Sequence, residues 1–214
     1  MRLSVISIFA LLLLIALPAG AQEPRTAPFV EISGPQVLAE ADDGRVEVIS
    51  FFWYGCPSCS KLDEPLTRWA AKLPKDVRFI RKHVAFNRSA DFPARVFETL
   101  RVMDIDHSAD LKIFKLFIQD RKPITSLLDL PRLAETLNID EKKLIETFNS
   151  KEVDARMAKL SRLMDVYNIE FVPTMVVDGR YVYNIGMTRG GAEGFIAQTD
   201  ELIKKQRAAR KAGQ

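Results

Sequence analysis

Cys56 and Cys59 are the only two cysteines in a chain of 214 residues, and they bracket Pro57-Ser58 where an apolar strand gives way to a helix. The strand reads Val46-Glu47-Val48-Ile49-Ser50-Phe51-Phe52, Trp53-Tyr54-Gly55 forms the turn, and Lys61, Leu62, Leu66, Trp69, Ala70 and Leu73 mark the amphipathic run beyond. A cysteine at a helix cap faces unpaired backbone N–H groups and the positive end of the helix dipole. Proline suits the first helical position, where its fixed φ is already helical and its missing N–H is not needed. The thiolate is thereby favoured over the thiol, and the thiolate is the nucleophile of disulfide exchange. Cys59 sits about one turn further on, placed to resolve a mixed disulfide with Cys56, the more exposed sulfur.

Other uses of two cysteines fit poorly. A bridge across two residues ties no distant elements together and stabilises little through loop closure. Zinc needs about four ligands, and His83 and His107, the only histidines, are far apart and not at finger spacing. No metal site is expected. Position 60 is Ser, so the pattern for c-type haem attachment fails.

Met1-Arg2 leads into an apolar stretch from Leu3 to Leu17, broken by Pro18 and followed by the small-x-small pattern Ala19-Gly20-Ala21. This is the layout of a cleavable secretory signal over residues 1–21, with the mature chain starting at Gln22. No cysteine at that point could carry a lipid. Export matters because a CxxC pair held reduced in the cytosol can stay oxidised outside it. The net charge of +3 falls by one when Arg2 is removed, which gives no footprint for nucleic acid. The run Lys204-Lys205, Arg207, Arg210-Lys211 reads as a frayed, solvated helix end.

Phe29-Val30-Glu31-Ile32 is a short strand candidate closed by Gly34-Pro35, and Asp42-Asp43-Gly44 is a turn. Pro74 stops the helix after the cysteines, and Val77 to Val84 alternates as a strand, making a βαβ unit with parallel strands. From about Ser89 to Asn168 the period becomes helical. Stripes run through Phe92, Val96, Phe97 and Leu100; through Leu111, Phe114, Leu116, Phe117 and Ile118; through Leu130, Leu133 and Leu137; through Leu144, Ile145 and Phe148; and from Val153 to Tyr167. Asn138-Ile139-Asp140-Glu141 and Ser150-Lys151-Glu152 have the look of helix entries with capping residues. Thr174-Met175-Val176-Val177 and Tyr181 to Ile185 then flank Asp178-Gly179-Arg180 as a hairpin, and Ala192 to Lys205 closes the chain as a helix. With 47% apolar residues, one α/β domain of pattern βαβ…ββα, interrupted by an all-helical insertion, can bury a substantial core.

Phe51-Phe52-Trp53-Tyr54-Gly55-Cys56-Pro57-x-Cys59, then Lys82-His83-Val84, then Phe171-Val172-Pro173-Thr174-Met175-Val176-Val177-Asp178-Gly179-Arg180-Tyr181 together resemble the bacterial DsbA family of periplasmic thiol:disulfide oxidoreductases. The similarity spans nearly the whole mature chain. It implies a thioredoxin-like domain made of residues 22–88 and 169–214, with residues 89–168 as the helical insertion. It also implies a cis Val172–Pro173 bond beside the cysteines, where an extended client chain pairs with the backbone of Val172. By the same resemblance the clients are reduced or unfolded exported proteins, no cofactor is needed, and a membrane partner of the DsbB type reoxidises the pair in the periplasm.

Trp53, Tyr54, Phe171, Val172 and Met187 are candidates for an apolar peptide-binding rim. Pro57 and Ser58 are candidates for tuning the pair. Ser58 stands where most relatives called oxidases carry histidine, and Ser50 where the family often has a buried acid. Glu47 lies on the same strand at an odd offset from Ser50 and so faces the other way. Two alternatives stay open: a reductase or isomerase, which Ser58 favours, and a Cu(I) carrier, for which no Met or His beside the motif argues.

Overall fold

The structure, a computed structural model, describes residues 29–33 and 43–212. The expected signal over residues 1–21, the start at Gln22 and the Gly34-Pro35 closure lie outside the described residues. Five strands form one sheet in the order β1-β5-β4-β2-β3: β1 (Val30–Glu31), β2 (Val46–Phe52), β3 (Val77–His83), β4 (Thr174–Val177) and β5 (Tyr181–Asn184). The first helix, α1 (Pro57–Ala70), crosses from β2 to β3, which pair in parallel from Val46↔Val77 to Phe52↔His83. On its other side β2 pairs antiparallel with β4, Phe51 opposite Thr174. β2 is therefore an interior strand between β4 and β3, and both segments flanking the site lie at its C-terminal end.

Between β3 and β4 come five helices: α2 (Arg88–Val102), α3 (Ser108–Ile118), α4 (Leu130–Leu137), α5 (Glu141–Phe148) and α6 (Lys151–Val166). Asp140 caps α5 by accepting from Lys143 N–H at 2.6 Å, and Ser150 caps α6 by accepting from Val153 N–H at 3.3 Å. These bonds satisfy donors that the first helical turn leaves unpaired. In α3 the inward residues are Ile113, Phe114 and Leu116, while Leu111, expected in that stripe, is half-exposed.

Every residue of β2 is buried, yet period two still sorts them. Val46 and Val48 face Leu62 and Leu66 of α1 and Phe195, Leu202 and Ile203 of α7 (Gly191–Ala212). Ile49 and Phe51 face Leu160, Leu163 and Tyr167 at the other side. Phe52, Tyr54, Cys56 and Cys59 join neither layer. They belong to the core of the insertion, with Val96, Phe97, Leu100, Phe114 and Leu133. The cysteine turn is thus built where the two parts of the chain meet.

The end of α7 is anchored, contrary to the frayed end read from its charge run. Arg207 holds Asp76 through Nε at 2.7 Å, and Arg210 grips the fully buried carboxylate of Asp178 with a fork, Nη2 to Oδ1 at 2.7 Å and Nε to Oδ2 at 3.2 Å. Planar guanidinium forks suit carboxylates, and both acids come from turns distant in sequence. No helix among the described residues is long and apolar enough to cross a membrane.

The insertion is also tied to the sheet by charge. Lys82 of β3 reaches Glu98 of α2 at 3.0 Å, both buried, and Arg156 of α6 approaches the same carboxylate at 3.6 Å. Removing one partner of a buried pair costs about 3–5 kcal/mol, whereas replacing both by apolar residues is often close to neutral. Glu98→Ala should therefore lower the unfolding free energy by about 3 kcal/mol or more, and Lys82→Met with Glu98→Leu by much less. Urea unfolding monitored by circular dichroism would check this; equal losses in the two variants would mean that the pair is not what ties α2 to β3.

Candidate redox site

β2 ends at Phe52 and three residues turn the chain into α1. Gly55 allows a close approach: a Cβ there would run into the Trp53 ring, which folds over the turn. Cys56 occupies the helix cap in an extended conformation, φ −93° and ψ 112°. Its sulfur accepts from the Cys59 N–H at 3.2 Å, the role a serine or aspartate oxygen plays at an ordinary cap. The Cys59 thiol that hydrogen-bonds this sulfur, with the backbone N–H groups of Cys59 and Ser58, brings the Cys56 pKa down to about 7 against the opposing effect of burial. Burial pushes the Cys59 thiol far up, and the hydrogen bond to Cys56 and the negative charge there push the same way. One sulfur is poised as a thiolate and the other is held as a thiol.

Val172 lies across from this cap. Its peptide bond to Pro173 is cis, and its carbonyl oxygen is 3.7 Å from the Cys56 sulfur, which donates to it as a thiol. The Thr174 hydroxyl donates to the Phe171 carbonyl at 2.8 Å and holds the approach to β4. Cys56, Cys59, Val172 and Pro173, far apart in the chain, are brought together here.

Tyr54 is not part of an apolar rim. It is fully buried, its N–H donates to His83 Nε2 at 3.1 Å, and its hydroxyl donates to Asp110 at 2.5 Å. Its phenol pKa is raised, first by burial and then by the Asp110 charge. An aromatic with a polar tip is buried once that tip finds a partner, and the partner is on α3, which sequence alone does not place. His83 Nδ1 lies 2.8 Å from the Val84 carbonyl, so Nδ1 carries the proton and Nε2 accepts. Burial lowers the His83 pKa to about 3 and keeps the ring neutral. Trp53 is half-buried, Phe171 is 64% exposed, and Met187 lines a cleft beside Phe171.

Ser58 is exposed; what it gives the sulfur is its backbone N–H. Ser50 sits opposite Arg81 in the β2–β3 register, and Arg81 finds its acid on α1 instead, Nε to Asp63 Oδ1 at 3.4 Å. Burial raises the Asp63 pKa to about 6, opposed by Arg81. Sequence reading passed over Asp63 and Asp110. Asp63 had a signal, since it follows Cys59 by four residues on the same helix face; Asp110 had none.

Residues 37–192 match the model of a thioredoxin family. The thiol:disulfide interchange protein DsbA of Pseudomonas aeruginosa is 33% identical over 183 residues, covering 86% of this chain and 85% of that protein. The protein of the same name from Pseudomonas syringae pv. tomato is 32% identical over 199 residues, covering 93% and 92%. A crystal structure of Pseudomonas aeruginosa DsbA superposes with a TM-score of 0.80 at 33% identity, covering 86% of this chain and 94% of that one.

Two results are expected from this geometry. In the reduced protein, thiolate absorbance should rise with a midpoint near pH 7 for one sulfur, while the second stays protonated well above pH 9. Because the Cys56 pKa is depressed, its contribution to the stability of the reduced fold is present above the ordinary thiol value of 9.0 and is lost as pH falls through about 7. Ser58→His places a group of pKa about 6.5 in the same turn, able to carry charge beside the sulfur. It should move the midpoint down by about one pH unit or more. A titration with no change would show that position 58 acts on the sulfur through its backbone alone.

Proposed function

The chain belongs to the DsbA family of thiol:disulfide interchange proteins and is a thiol:disulfide oxidoreductase, and from that premise we propose that it works outside the cytosol as an oxidase through Cys56 and Cys59. The observation that supports this direction most is the asymmetry of the two sulfurs. In the oxidised protein a client thiolate attacks the Cys56 sulfur. A bond forms between the client sulfur and Cys56, the Cys56–Cys59 bond breaks, and Cys59 leaves with the electron pair and takes a proton. A second client thiolate then attacks the client sulfur of this mixed disulfide and expels Cys56 as a thiolate. The client has lost two electrons and two protons and gained a disulfide; the protein holds the electrons as the Cys56 thiolate and the Cys59 thiol, one proton being on Cys59 and the other passed to solvent.

A leaving thiolate of low pKa departs faster, so the depressed Cys56 pKa speeds release of the oxidised client. Val172 and Pro173 are the backbone against which an extended client chain is laid. A membrane-bound, quinone-linked protein of the DsbB type would accept the electrons and restore the disulfide, and the apolar leader at residues 3–17 supports a periplasmic site of action.

Ser58 favours a second reading. Without a histidine charge beside Cys56 the thiolate is stabilised less, the reduced form gains less, and the disulfide is a weaker oxidant. The same fold would then run as a reductase or isomerase, kept reduced by a different membrane partner. Equilibration with glutathione separates the two: a potential above that of the surrounding thiol pool supports the oxidase, and one well below it supports the reductase.

The sulfur assignment has its own check. Cys59→Ala keeps the Cys56 thiolate and removes its intramolecular route of release, so mixed disulfides formed when Cys56 attacks client disulfides should accumulate on non-reducing gels above the parent's level. Cys56→Ala should accumulate none. Equal trapping by both variants would overturn the assignment.

A further inference from the structure

Between α3 and α4 the chain turns through residues 119–129 and leaves two adjacent leucines in water. Leu128 exposes 91% of its surface and Leu127 55%, although Ile124 before them and Leu130 after them are buried in the core of the insertion. This exposure does not come from a slack loop. Asp129 Oδ2 accepts from the Thr125 and Ser126 N–H groups, each at 3.0 Å, and from the Ser126 hydroxyl at 2.9 Å. Arg132 donates to the carbonyl oxygens of Lys122 at 2.6 Å and Pro123 at 3.2 Å, and to Asp129 Oδ1 at 2.6 Å. Ile124 and Leu130 anchor the loop, and this network braces the single 3₁₀ turn Leu127–Asp129 with both leucines outward. Arg121 and Lys122, in the same loop, are exposed as well. The nearby acids are engaged by other cations: Asp120 lies 3.6 Å from Lys115, and Asp129 2.6 Å from Arg132. The loop thus presents a convex apolar tip beside two uncompensated positive charges.

We infer that this tip is a membrane-surface contact, in which Leu127 and Leu128 enter the headgroup boundary of a bilayer and Arg121 and Lys122 meet the phosphates of anionic lipids. Area and charge identify the occupant. A stable protein interface buries about 800 Å² on each partner, far more than two leucine side chains supply, which argues against a second copy of this chain and against a tightly held protein. A bilayer moulds itself around a protrusion and needs only a small apolar area. Apolar side chains sink into the headgroup boundary, and Lys or Arg at their margin add attraction to anionic lipid. Singly scattered surface leucines carry no such meaning. Here the two are adjacent, braced from beneath and flanked by cations. The contact takes no part in the exchange at Cys56 and Cys59; it keeps the protein at a membrane surface while that exchange proceeds.

Co-sedimentation of the full mature chain with vesicles tests this, using phosphatidylcholine alone or with about one-third phosphatidylglycerol. The parent should bind the anionic vesicles about tenfold or more tightly than the neutral ones, since each cation near such a surface contributes about fivefold. Leu128→Ser should weaken binding to anionic vesicles about tenfold, the effect of leaving one leucine in water. Arg121→Gln combined with Lys122→Gln should weaken it by a similar factor. In every variant the circular dichroism and the rate of dithiol peptide oxidation without vesicles should match the parent, because these side chains are exposed and stand outside the exchange site. No binding by the parent, equal binding to both kinds of vesicle, or binding that Leu128→Ser leaves intact would overturn the contact. Two further results would overturn it by naming another occupant. Sedimentation without vesicles that grows with protein concentration and is lost in Leu128→Ser would assign the tip to a second copy of this chain. Binding confined to vesicles that carry membrane proteins would assign it to a protein partner.

Discussion

At the start of α1 a sulfur does the work of a capping oxygen. The Cys59 N–H points at Cys56 across 3.2 Å, and the other N–H groups of the first turn, with the aligned peptides behind them, face the same atom. A neutral thiol gains little from that field and a thiolate gains much, so the backbone adds to the Cys59 thiol in lowering the Cys56 pKa. Other features of the site keep this cap in place. Pro57 begins the helix without an N–H to spare. Gly55 leaves room for the Trp53 ring, and β2 and β4, paired through Phe51 and Thr174, bring the Val172 carbonyl to the sulfur.

The helical insertion supports the cap. Phe52 and Tyr54 stack edge-on at 5.1 Å, and Phe97 of α2 and Phe114 of α3 pack around them. Tyr54 is fastened at both ends, by its N–H to His83 and by its hydroxyl to Asp110, and Asp110 in turn has Arg101 at 3.5 Å and His107 at 2.8 Å. The turn that carries the cysteine is therefore held by α3 as well as by the sheet. Aromatic pairs of this kind add about 0.5–1.5 kcal/mol each beyond the area they bury. A motion of the insertion against the sheet would have to break the Tyr54–Asp110 bond inside an apolar cluster.

What the sequence made legible was whatever depends on near neighbours. The cysteine spacing, the proline at the first helical position, the parallel β2–β3 unit and the five helical stripes all follow from periods of two and 3.6 and from capping residues such as Asp140 and Ser150. What it hid depends on partners far along the chain. Tyr54 reads as rim because its partner Asp110 is 56 residues away. The basic end of α7 reads as frayed because Asp76 and Asp178 are 131 and 32 residues away. Leu111 reads as core because it is apolar, whereas the buried face of its helix is made by Ala109, Asp110, Ile113, Phe114 and Leu116. Phe171, read as rim together with Tyr54, is exposed as that reading requires, because among the described residues no partner of the kind that buries Tyr54 covers it.

The contrast between the two sulfurs determines how exchange ends as well as how it begins. Once a mixed disulfide has formed on Cys56, two thiols compete for it. Cys59 could attack Cys56 and return the client reduced, or the client's second thiol could attack the client sulfur and carry the disulfide away. Reactivity follows the thiolate fraction and the leaving group. Burial holds Cys59 as a thiol, which slows its attack and offsets the advantage of its nearness. Cys56, with its pKa near 7, is the better leaving group, and attack on the client sulfur expels it. Both effects favour the client's own thiol. A fold that buries one sulfur of the pair and caps a helix with the other thus biases the mixed disulfide toward an oxidised client, and Ser58 lessens that bias only by withholding an additional charge from the cap.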